Sequence, residues 1–159
     1  MSKVKLPKIT DLDSLTGKYV LLRTSLNVPV DSGVVSNQFR IARAMPTINH
    51  LIKAGARVIL IAHIGRGEDD TLRPVYQAMN SFLTINFCED LTGASVKEAR
   101  DQMEDGEVLM LENLRKNPGE KDNDSNLSID LAGLADIYVN DAFAASHRSH
   151  ASLVGIPRY

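Results

Sequence analysis

Apolar positions along the chain gather into short unbroken runs, and the stretches between them carry a helical period. Tyr19-Val20-Leu21-Leu22, Val58-Ile59-Leu60-Ile61 and Val108-Leu109-Met110-Leu111 are continuous rather than alternating, with Ile85-Asn86-Phe87 and Ile137-Tyr138-Val139 as weaker versions. Runs this short suit strands covered on both faces, as in a parallel sheet between helices. A buried helix segment shares the pattern but is normally longer.

The intervening segments show helix ends and stripes. Pro46 suits a first helical position, with Ile48, Leu51 and Ile52 on one face and Gly55 at the close. Pro74 precedes Val75, Met79, Phe82 and Leu83 at helical spacing. Ser95 and Glu98 make a capping-box pattern ahead of the Val96, Ala99 and Met103 stripe. Leu127, Leu131 and Leu134 repeat at helical intervals, and the polar residues 117–124 read as a surface loop. Strand and helix alternate throughout, which predicts a three-layer, Rossmann-like α/β domain with a mainly parallel sheet of about five or six strands. No internal repeat or low-complexity segment interrupts it.

Composition narrows the class. The 159 residues fit one domain, residues 1–159, large enough to bury a core without disulfide or metal staples. A single cysteine, Cys88, excludes a disulfide framework, fits a reducing compartment and reads as a small core residue. The net charge of −2 argues against a nucleic-acid partner. No apolar run approaches the length of a membrane span, and Met1-Ser2-Lys3 starts no signal-peptide core. A cytoplasmic location is expected.

In open parallel sheets, ligands sit beyond the carboxyl ends of the strands, where the loops converge. Ser25 and Asn27 follow the first run, His63 and Arg66 the second, and Asn113 and Arg115 the fourth. Asn140, Asp141, His147, Arg148 and His150 follow the last, and Arg40 falls in the connection from the first strand to its helix. Guanidinium groups offer planar forks that match phosphate or carboxylate oxygens, so this edge suits a small, multiply charged anion. At about 1.5–3 kcal/mol per charge-assisted bond, three or four of them hold a phosphate ester at micromolar to millimolar affinity.

Rival readings are weaker. Any one arginine taken alone is more often solvated or paired with an acid. His63, His147 and His150 fall short of a convincing metal set, because zinc sites need three or four ligands with supporting partners. Glu112 and Asp141 at strand ends read as loop anchors. There is no Gly-x-Ser-x-Gly elbow, Gly65-Arg66-Gly67 has no third glycine at Asp70, and no Gly-x4-Gly-Lys-Ser/Thr loop occurs.

Several segments resemble phosphoglycerate kinase. These are Leu22-Arg23-Thr24-Ser25-Leu26-Asn27-Val28-Pro29, Arg40-Ile41-Ala42-Arg43-Ala44-Met45-Pro46-Thr47-Ile48 and Ala62-His63-Ile64-Gly65-Arg66. Leu111-Glu112-Asn113-Leu114-Arg115 and Tyr138-Val139-Asn140-Asp141-Ala142-Phe143 follow, the last succeeded by His147-Arg148-Ser149-His150-Ala151-Ser152. The resemblance is to the family's amino-terminal half. It implies binding of 3-phosphoglycerate or 1,3-bisphosphoglycerate for reversible phosphoryl transfer to ADP in glycolysis. His63, Arg66, Arg115 and Arg148 would surround the 3-phosphate, with His147 in support, Asn27 on the glycerate and Ser25 beside it. Arg40 would be the catalytic residue at the transferring phosphoryl group. Mg-ATP or Mg-ADP belongs to a second domain of the intact enzyme, and none is expected on this chain.

The chain departs from the family pattern in three places. Ser25 and Leu26 stand where Asp and Phe are usual, Ala144-Ala145 replaces Gly-Thr, and the sequence stops at Tyr159. The stop leaves a carboxyl-terminal domain as the missing partner, predicts a chain nearly inactive alone, and predicts self-association through uncovered apolar surface. The alternatives are a stand-alone, non-catalytic phosphoglycerate- or anion-binding module, and a purely structural role for the arginines.

Overall fold

The computed structural model describes residues 7–12 and 14–159. The reading of Met1-Ser2-Lys3 lies outside them. The chain runs β1 (Tyr19–Thr24), β2 (Val30–Asp31), β3 (Val34–Val35), α1 (Phe39–Lys53), β4 (Arg57–Ile61), α2 (Arg73–Met79) and β5 (Asn86–Cys88). It continues through α3 (Ala94–Asp101), β6 (Val108–Leu111), α4 (Gly119–Asp122), α5 (Ser125–Ala132) and β7 (Ile137–Asp141), ending in short 3-10 and π turns. Every strand of the five-stranded sheet is parallel to its neighbours, in the order β5-β6-β4-β1-β7. The β2–β3 hairpin is a separate, antiparallel pair that the apolar runs did not announce.

Alternate side chains of each strand feed two cores. Val20, Leu22, Val58, Leu60 and Met110 pack with the buried stripe of α1 and with α2. Leu21, Ile59, Ile61, Leu109 and Leu111 pack with α3, α5 and the carboxyl-terminal turns. The chain thus steps from β1 to β4 to β5 over one face and returns through β6 to β7 over the other. A constant hand of crossover requires this arrangement. The central strands are apolar on both sides because both sides are covered.

Five local expectations need correction. Helix α1 begins at Phe39, and Pro46 lies inside it. Proline in a helix interior costs about 3 kcal/mol. Here Ile41, Ala44, Met45, Ile48 and Leu51 are all buried, and about 1.5–3 kcal/mol per large side chain outweighs that cost. Arg40 is accordingly the second residue of α1, not part of a connection. The Ser95/Glu98 capping box does not form: Gly93 caps α3, and the Ser95 hydroxyl donates to Asp90 at 2.5 Å. Residues 117–124 are not a plain surface loop, because they contain α4 with Glu120 only 1% exposed. Phe82 falls beyond α2 and is exposed.

Candidate functional site

The loops after β1, β4, β6 and β7 meet at one rim, and buried polar anchors set their paths. Asn113, fully buried, accepts the Ile64 amide at 3.2 Å and donates to the carbonyls of Ile64 and Asp70 at 3.0 and 2.8 Å. Glu112 accepts the amides of Leu72 and Asn113 at 2.8 and 2.7 Å, the Thr71 hydroxyl at 2.6 Å, and pairs with Lys116 at 3.1 Å. Burial alone would raise the Glu112 carboxyl, but these donors outweigh it and hold the group below its ordinary value. Glu112 is a loop anchor, as its strand-end position suggests. Within the 63–70 loop, Asp70 accepts the amides of Arg66 and Gly67 at 3.0 and 3.1 Å, and Lys121 donates to the Arg66 carbonyl at 3.1 Å.

Three of the expected arginines share one electrostatic neighbourhood. Arg115, at the turn after β6, is pulled below the usual guanidinium value by burial and by the charges of Arg148 and Arg66. His63, after β4, is lowered to about 3 by burial and then by Arg23, Arg115, Arg148 and His150. His63 is therefore neutral at physiological pH. Glu120 and Asp70 act on Arg115 in the opposite sense, so the positive field is only partly offset. Such a cluster of like charges at a loop-lined rim attracts a small anion.

Arg40 occupies a neighbouring concavity of about 370 Å³, lined among others by Thr24, Ser25, Arg43, Asp141 and Phe143. Its guanidinium donates to the Ser25 hydroxyl at 2.9 Å. The two parts adjoin at the end of β1, where the Thr24 carbonyl accepts a bond from Arg23 at 2.5 Å. Asn27 accepts the Gly65 amide at 2.9 Å and so ties the β1 loop to the β4 loop. His147 is exposed and is not drawn into the cluster by any contact among the described residues. Neither His147 nor His150 joins His63 in a metal arrangement: no group of three or more His, Cys, Asp or Glu suited to a metal occurs among the described residues. Cys88 is buried, in line with a core role.

Three further residues at the rim fall outside the candidate set drawn from the sequence. Arg23 lies in β1 at 1% exposure, Glu120 in α4 at 1%, and Ser152 in the carboxyl-terminal turn at 0%. Arg23 reaches the Ser152 hydroxyl at 3.1 Å and His63 at 2.7 Å. The one available signal was a charged residue interrupting the apolar face of β1, on the side that carries Leu21.

A family model described as phosphoglycerate kinase matches residues 9–159. The phosphoglycerate kinase of Fervidobacterium nodosum is 45% identical over 158 residues, covering 95% of this chain and 39% of that protein. That of Gloeobacter violaceus is 47% identical over 152 residues, covering 91% of this chain and 37% of the relative. Among solved structures, phosphoglycerate kinase from Pyrococcus horikoshii superposes with a TM-score of 0.88 at 32% identity, over 96% of this chain and 40% of that one. The Coxiella burnetii enzyme gives 0.84 at 35%, over 95% and 39%. The chain thus spans about two-fifths of the length of these relatives.

Proposed function

The chain belongs to the phosphoglycerate kinase family, and we propose that it forms the unit, residues 1–159, that grips 3-phosphoglycerate or 1,3-bisphosphoglycerate during reversible phosphoryl transfer to ADP. One observation carries the proposal. Arg66 and Arg148 act on Arg115, and Arg115 and Arg148 act on His63, from separate loops at the carboxyl ends of the strands. That is the charge and placement a phosphate ester needs. In this reading those three arginines and His63 hold the 3-phosphate, with His147 free to close over it from its exposed loop.

Arg40 faces the other end of the substrate. It stands in a concavity with Ser25 at the end of β1. Asn27 holds the loops on which both parts depend and lies beside the glycerate. Phosphoryl transfer asks for positioning and neutralisation of spread charge, and an arginine at the transferring group is worth about 10³–10⁵ in rate. The rim supplies guanidinium groups suited to a phosphate ester. The proposal therefore assigns it the phosphoglycerate and leaves the Mg-nucleotide to another domain as the partner. The lone, buried Cys88 supports a reducing, cytoplasmic setting.

A coupled ATP assay tests the kinase reading. The chain is mixed with a separately produced nucleotide-binding remainder of a longer relative, and turnover above that of either part supports a kinase half. Phosphoglycerate binding without rescue would instead make the chain a binding module.

A further inference from the structure

A buried carboxylate lies behind the cationic rim, and the direction of each bond leading from it is forced. Glu120 accepts the Ser152 amide at 2.9 Å and the Ser152 hydroxyl at 2.6 Å. A carboxylate only accepts, so the single hydroxyl proton of Ser152 is spent on Glu120. The Ser152 oxygen is left as an acceptor for Nε of Arg23, 3.1 Å away. Arg23 lowers the far end of the same guanidinium onto Nδ1 of His63 at 2.7 Å. Arginine has no acceptor, so Nδ1 of His63 receives the bond and carries no proton.

We infer that Glu120 and Ser152 are positioning residues: through Arg23 they hold His63 as the neutral Nε2–H tautomer, so the rim meets its ligand there with an N–H donor rather than a cation. The inference rests on the phosphoglycerate-binding reading for its purpose, but not for its chemistry. Nε2 has no hydrogen-bond partner among the described residues, and His63 is partly exposed, so its proton is available to an incoming oxygen.

The surroundings hold the tautomer from every side. Arg23 on β1, Arg115 after β6, and Arg148 and His150 on the carboxyl-terminal segment all oppose a charge on His63. Glu120 on α4 faces Arg23, Arg115 and His150, with His150 Nδ1 at 3.7 Å. Protonating Nδ1 would break the bond to Arg23 and set two cations in contact. The arrangement also gives His63 a fixed ring direction, because Arg23 is itself pinned at Ser152 and at the Thr24 carbonyl. A free cationic histidine would offer more charge but no fixed direction, and an oxygen-rich ligand is located by direction.

Long-range ¹H–¹⁵N correlation spectra of the ligand-free protein between about pH 5 and 8 test this directly. His63 is expected to show a bare Nδ1, a protonated Nε2 and no titration across that range. Ser152→Ala is expected to mix the tautomers and to weaken 3-phosphoglycerate about tenfold. Leu127→Ala, a core truncation on the same face, is expected to lower stability and leave the His63 signals unchanged. If Ser152→Ala does not fold, Glu120→Gln carries the positioning claim, since its amide oxygen still accepts the Ser152 amide. A wild-type His63 that is protonated at Nδ1, or that titrates near its ordinary value, overturns the inference. So does a folded Ser152→Ala or Glu120→Gln with an unaltered His63. The expected spectrum with no response to 3-phosphoglycerate would defeat only the ligand reading, whereas a ligand response without that spectrum would defeat only this inference.

Discussion

Arg23 and His63 are joined at 2.7 Å across neighbouring strands, although 40 residues separate them in the chain. The β1–β4 ladder sets Arg23 opposite Ile61, and His63 follows two residues beyond it. Sheet register therefore delivers the contact, and the covered face of the sheet keeps Arg23 out of water. The charge state of the rim is thus set by packing as much as by residue type.

Acid sensitivity follows from His63. The unfolded chain takes up a proton near pH 6.5, while the folded form refuses it until about pH 3. Stability is then fully present above about pH 6.5 and falls as pH drops through that window, by at most about 1.4 kcal/mol per pH unit for this group. His150, lowered first by burial, adds in the same direction. Urea melts at about pH 7 and pH 5 should show His63→Gln losing less stability than wild type over the interval. Equal losses in the two proteins would contradict the assignment.

Glu112 should be among the costliest single positions outside the apolar core. Glu112→Ala leaves the amides of Leu72 and Asn113 and the Thr71 hydroxyl without their acceptor in a nearly sealed site. A loss of about 3–5 kcal/mol is expected from urea melts, in the range for breaking a buried charged pair. Because its folded value is depressed, Glu112 stabilises the fold above its ordinary value, 4.5, and this contribution is lost as pH falls through the lower folded value. A loss under about 1 kcal/mol on substitution would show that the 63–72 loop is held elsewhere.

Gly65 should matter to binding as well as to stability. It sits at a φ of +65°, and an added β-carbon would collide with the Asp70 carboxylate. That carboxylate is fixed by the amides of Arg66 and Gly67, so it cannot swing aside without releasing the loop. Gly65→Ala is expected to cost about 1–2 kcal/mol in a thermal melt, from left-handed strain and the displaced carboxylate. It should also weaken anion binding roughly tenfold by freeing Arg66. Unchanged affinity would mean that the loop's path does not orient Arg66.

The sheet was legible because both faces of a covered parallel strand must be apolar, and β1, β4 and β6 carry that pattern over Tyr19–Leu22, Val58–Ile61 and Val108–Leu111. The carboxyl ends of β4, β6 and β7 then pointed to Arg66, Arg115 and Arg148 from chain order alone. Pro46 misled because proline acts locally as a helix starter, while the stripe from Ile41 to Leu51 decides the helix through tertiary burial. Glu120 looked like part of a polar loop because its partner, Ser152, lies 32 residues further along. The Ser95/Glu98 pair had the right spacing, but Gly93 ends the preceding turn and Ser95 turns back to Asp90. Arg23 stands within a segment that resembles the family, but only the fold buries it and joins it to Ser152 and His63.

The convergence of arginines on a phosphorylated acid is tested most directly by calorimetric titration with 3-phosphoglycerate at low and high salt. Saturable binding at micromolar to millimolar affinity is predicted, weaker at high salt and at least about tenfold weaker in Arg148→Ala and Arg66→Ala. No heat at millimolar ligand, or binding indifferent to both substitutions, would contradict the account.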